Sequence, residues 1–110
     1  MSSFNQLRRR VIERVLEGPG VSTAAARRAA FDNQGVDARL TALVATVAGE
    51  AWNVSDEDVA APLAAGAAED EVFELVVCAA LGQAQRQLDA AMAAVEGATD
   101  PVTTRPRGRS

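Results

Sequence analysis

The chain has no histidine, no tyrosine and no lysine, and its one cysteine is Cys78. Each absence removes a class of chemistry. Without histidine there is no Ser-His-Asp triad, no Cys-His pair and no histidine-held metal, and one cysteine allows no intrachain disulfide or dithiol. Aromatic residues are only 4 % of the sequence, so a core has to be assembled from small apolar side chains. No run approaches the roughly 20 apolar residues a membrane span requires, and the arginine-rich start lacks the apolar segment of a signal peptide. A cytoplasmic location with no membrane partner is expected.

What is present points to helices. Of 110 residues, 48 % are hydrophobic and 24 are alanine, a composition that favours close helix packing. So short a chain buries a smaller share of its surface than a larger domain, and a partner subunit would help to close its core. The formal charge of −4 argues against a nucleic-acid partner, because phosphate binding needs a concentrated basic surface.

Along the chain, residues 1–20 read as an amphipathic helix from about Phe4 to Glu17, with Ser2 or Ser3 as cap and "EGPG" as its stop. Phe4, Leu7, Val11, Val15 and Leu16 recur at helical spacing, and Arg8, Arg9, Arg10 and Arg14 cover the other side, as in a helix that docks by one face. A helical domain over 21–97 follows. Ser22 is the expected cap of a short helix ended by Asn33 and Gly35, and Asp37 is expected to open the next, with Leu40, Leu43, Val44, Val47 and Ala51 as its stripe. Ser55 and Asp58 have the spacing of a capping box, Gly66 is a left-handed stop, and a long helix is predicted from about Glu69 to Glu96.

That long helix carries two apolar stripes. Phe73, Val76, Val77, Ala80, Leu81, Ala84, Leu88, Ala91, Met92 and Val95 form the main one; Val72, Leu75, Ala79 and Gly82 form the second, which ends at Arg86. A helix apolar on two sides is central in its bundle or shared between subunits, and Ala79 and Gly82 leave room for another backbone. Residues 98–110, with "TDPVTTRPRGRS", read as a disordered arginine- and proline-rich tail.

From about Leu40 to Met92 the "LTALVATVA" helix, the spacing from Ala51 to Gly66 and the "AAGAAEDEVFELVVCAALG" stretch resemble the alkylhydroperoxidase D-like and carboxymuconolactone decarboxylase family. The resemblance implies an all-α, alkylhydroperoxidase D-like helical bundle with a long central helix, assembled as a trimer or hexamer. Redox members of that family begin the short helix with C-x-x-C and relay protons through a histidine four residues further on. One thiolate attacks the peroxide and the other resolves the sulfenic acid. Here those positions fall on Ala51, Val54 and Asp58, and the upstream glutamate has no clear match near Arg39. Dithiol peroxidase chemistry is therefore excluded. Muconolactone decarboxylation is disfavoured too, since that branch resembles its relatives in keeping the histidine.

Several residues remain as candidates. Asp58, at the relay position, is a candidate acid or base, with Trp52 at the edge of the same region. Arg86 is expected to be partly enclosed, paired with Asp89, Asp58 or an anionic ligand, and Glu74, Gln83 and Gln87 would complete a small polar pocket. Glu50, Asp56, Glu57 and Asp58 place four carboxylates within nine residues, but helix capping already accounts for those in the first turn, and neither a metal nor a cofactor is expected. Cys78, inside an apolar run, reads as a buried structural thiol. Two functions remain open: a non-redox accessory or structural subunit, homo-oligomeric and serving a larger enzyme, or a small non-redox enzyme or binder for an anionic molecule with Asp58 as acid or base and Arg86 as anchor.

Overall fold

Helix boundaries in this chain follow from its caps. The computed structural model describes residues 2–99, all-helical apart from short connections: α1 (Ser2–Glu17), α2 (Ala24–Asp32), α3 (Thr41–Glu50), a single 3-10 turn (Ala51–Asn53), α4 (Asp56–Ala64) and α5 (Glu69–Thr99). Of the disordered tail expected over 98–110, Ala98 and Thr99 instead continue α5, and residues 100–110 lie outside the described residues. Among the described residues no helix is long and apolar enough to cross a membrane.

Three starts differ from expectation. Helix α1 already includes Ser2 and Ser3, the expected caps. Thr23, not Ser22, caps α2: its hydroxyl accepts the Ala26 N–H at 3.0 Å, the spacing a cap needs, and Ser22 is left free for another partner. Helix α3 opens at Thr41 rather than Asp37, because the Asp37 carboxylate accepts the Arg39 backbone N–H at 2.9 Å and its guanidinium at 3.1 Å, fixing a turn instead of a helical start. The other signals act as read. Asn33 closes α2 in the left-handed region, the Ser55–Asp58 capping box has both its bonds, and Gly66 at φ +104° ends α4 while the Ala67 N–H reaches back to the Pro62 carbonyl at 3.0 Å.

Helix α5 is the spine. Its Val72, Leu75, Cys78 and Ala79 are buried against Leu40, Leu43, Val44 and Val47 of the α3 segment and Ala30 of α2. Ala51, expected to extend the α3 stripe, is exposed, because the helix has already given way to the 3-10 turn there. Gly82 makes the α2 crossing possible: a Cβ there would collide with the Phe31 carbonyl oxygen and stand 2.8 Å from its carbon. The close approach anticipated at Ala79 and Gly82 is therefore made within the chain.

The two stripes of α5 exchange roles. The narrower one is the core, whereas on the broader one Phe73 is 67 % exposed and Val77, Ala80, Ala84 and Met92 are also open to solvent. Helices α2 and α3 pack on the small-residue side, where backbones come closest, and leave the bulkier side uncovered. Helix α1 is held by Leu16, which is fully buried, while Phe4, Leu7 and Val11 stay about half exposed. The radius of gyration, 17.4 Å, exceeds the ~13 Å typical of a compact chain of this length.

Candidate functional site

The region where the resemblance expects a dithiol is built from backbone caps. The Val54 N–H donates to the Ala51 carbonyl at 3.3 Å and closes the 3-10 turn, and the Asn53 amide donates to Glu50 Oε1 at 3.0 Å. Ser55 Oγ then accepts the Asp58 N–H at 3.2 Å, and Asp58 Oδ2 accepts the Ser55 N–H at 3.0 Å. Asp58 is thereby engaged in holding the start of α4. Trp52 projects from the turn with 79 % of its surface exposed. Glu50, Asp56, Glu57 and Asp58 do not converge, and no group of three or more potential ligands capable of holding a metal occurs among the described residues.

Arg86 lies elsewhere and in a different state from that expected. It is exposed, and its guanidinium donates to the Phe31 carbonyl at 2.8 Å and to Gln83 Oε1 at 3.3 Å. Phe31 belongs to the last turn of α2, whose final carbonyls have no partner within the helix. Arg86, one turn beyond Gly82, caps that turn from another helix. Asp89, its expected partner, instead faces Arg8 at 3.6 Å. Beside Arg86 is a shallow polar cavity of about 290 Å³ lined by Asp32, Asn33, Gln34, Gln83 and, from α3, Ala45, Ala48 and Gly49. Asp58, Trp52 and Glu74 are not part of it.

Glu74 is the most strongly perturbed of these residues. It accepts hydrogen bonds from the Val21 N–H at 2.9 Å, the Ser22 N–H at 2.8 Å and the Ser22 hydroxyl at 2.6 Å. These bonds, the Ser22 hydroxyl first, hold its carboxyl down at about 2, well below the ordinary 4.5. Gly20 allows the approach, since a Cβ there would stand 3.0 Å from both carboxylate oxygens. No family model, curated protein or solved structure matches this chain. The functional reading therefore rests on this geometry.

Sequence reasoning missed Arg27. It is buried, and its guanidinium donates to the carbonyls of Val15 (3.1 Å), Gly18 (2.7 Å) and Ser22 (3.1 Å), tying the end of α1 to α2. A signal was present: Arg27 stands three residues before the buried Ala30, on the same side of α2. Cys78 is fully buried, and its burial pushes the thiol pKa up, away from the reactive thiolate.

Two apolar openings lie along the uncovered side of α5. One, of about 320 Å³, runs between α1 and α5 and is walled by Phe4, Leu7, Val11, Ile12, Leu81 and Leu88. A second, of about 290 Å³, lies between α4 and α5, walled by Val59, Leu63, Val72, Phe73 and Val76. Phe73, Val77 and Ala80 connect the two across the exposed face of the spine.

Proposed function

We propose that this chain is a non-redox structural or accessory subunit, a variation on the alkylhydroperoxidase D-like helix arrangement that acts by assembling through its uncovered face and not by chemistry of its own. The observation that carries this reading is the continuous exposed stripe of α5 with the half-exposed apolar side of α1. Phe73 is 67 % and Leu7 58 % exposed, on a chain with few large apolar residues to place anywhere. Contiguous apolar surface of this kind marks an interaction site.

The alternative, a binder or enzyme for a small anion, has less support. Asp58 is engaged in a helix cap, Arg86 in another, and the cavity beside Arg86 carries Asp32, which disfavours an anion. Light scattering coupled to size-exclusion chromatography tests the assembly. A homo-oligomer at micromolar concentration is expected; a folded monomer throughout that range refutes the reading.

A further inference from the structure

The exposed face of α5 has different neighbours on its two sides. Helix α1 flanks it beside Leu81 and Leu88, and α4 flanks it on the opposite side beside Val72 and Val76. The two flanks also differ in charge. On α1, Arg10 and Arg14 follow Leu7 and Val11 by three residues each, so they rim the apolar ridge. Glu69 lines the α4–α5 groove, and Asp56 and Asp70 stand three residues before Val59 and Phe73 of its two walls, all three exposed. Between the flanks, Ala80 and Ala84 are exposed small residues one turn apart, where a second helix can approach closely.

Building on the assembly reading above, we propose that the occupant of this face is a second copy of the same chain, related by a two-fold axis. The two α5 helices cross at Ala80 and Ala84, and the α1 ridge of each copy seats in the acid-rimmed α4–α5 groove of the other. One chain carries both a basic apolar ridge and an acid-rimmed apolar groove, and that self-complementarity is what an isologous interface requires. A foreign partner would have to reproduce both. An anionic lipid surface would meet Arg10 and Arg14 but be repelled by Glu69, Asp56 and Asp70 at the neighbouring groove. A hexamer made of such pairs is compatible; a trimer without a two-fold contact is not.

Charge reversal with mixing tests the arrangement. Arg10→Glu/Arg14→Glu and Asp56→Arg/Glu69→Arg are each expected to weaken self-association at least about tenfold, because like charges then face each other. Mixing the two variants restores a tight pair, since both contacts become complementary in the hetero-pair. Circular dichroism checks that each remains folded. Ala84→Cys should cross-link to itself under mild oxidation, Leu7→Cys to Val59→Cys in a mixture, and Val95→Cys not to itself; the native Cys78 is buried and stays out of the reaction. An oligomer in which mixing restores nothing and Ala84→Cys does not self-link overturns the two-fold pair while leaving the assembly reading intact. A monomer overturns both, and a monomer that binds anionic vesicles through α1 assigns the face to lipid instead.

Discussion

Replacing Glu74 by glutamine tests whether the α1–α2 connection is locked to the spine by charge. The carboxylate accepts three hydrogen bonds from Val21 and Ser22, and its pKa falls from 4.5 to about 2. A displacement of that size corresponds to about 3 kcal/mol at full strength, and contact with water reduces it to about 1.5–2 kcal/mol. The sign follows from linkage. A carboxyl whose folded pKa is depressed stabilises the fold fully above 4.5, and that contribution is lost as pH falls from 4.5 towards about 2.

Thermal unfolding followed by far-ultraviolet circular dichroism across this acid range is the assay. At neutral pH, Glu74→Gln should lower Tm by roughly 10 °C, the usual scaling for a domain of this size. Below 4.5 the wild-type Tm should fall towards that of the variant, and the two should nearly meet at about 2. The difference between the curves isolates this group, because Asp37, also held low by Arg39, titrates in both proteins. A constant offset at every pH, or no offset at neutral pH, refutes the reasoning. Ser22→Ala removes the 2.6 Å bond alone and should give a smaller, pH-dependent loss of about 1 kcal/mol.

Three other outcomes follow from the packing. Gly82→Ala should destabilise by about 2–3 kcal/mol, because the new methyl meets the Phe31 backbone, whereas Gly49→Ala, in α3 with open space around it, should stabilise by up to about 1 kcal/mol; chemical denaturation compares the two. Arg86→Ala should cost about 1 kcal/mol by uncapping α2, with lysine recovering part of it, as measured by the same unfolding curves. Cys78 should resist thiol reagents in the native protein and react once denaturant exposes it; rapid native labelling would contradict its burial.

Helix ends were legible where one local signal stands alone, and misread where two compete, as at Ser22–Thr23 and Asp37–Arg39. Ser55 with Asp58, Asn33 and Gly66 each act within a few residues, and each performs the expected task. What local reading could not decide was which stripe of α5 faces inward. Periodicity measures apolarity, and the bulkier stripe is the more apolar; α2 and α3 chose the side bearing Ala79 and Gly82, because only there can the Phe31 backbone come close. The site residues were misplaced for a related reason. Glu74 meets Val21 and Ser22 across more than fifty residues, and Arg86 meets Phe31 across fifty-five, distances over which no sequence spacing operates.

The polar groups singled out as candidate chemistry share a structural property. Asp58 closes a capping box, Arg86 caps the end of α2, Glu74 holds the start of the α2 segment, and the unanticipated Arg27 ties α1 to α2 through three carbonyls. A catalytic acid, base or anchor needs at least one lone pair or donor directed at a ligand, and the hydrogen bonds of these residues go mainly to backbone, with Ser22 Oγ and Gln83 Oε1 as the side-chain partners and the buried Arg27 Nε left without one. Reassigning any of them to a substrate would release a helix end that costs about 1 kcal/mol or more to leave unpaired. The apolar face of α1 and α5 has no such internal obligation. Its removal from water would add stability where the small core supplies little, so function carried by that face and stability of the fold favour the same event, association.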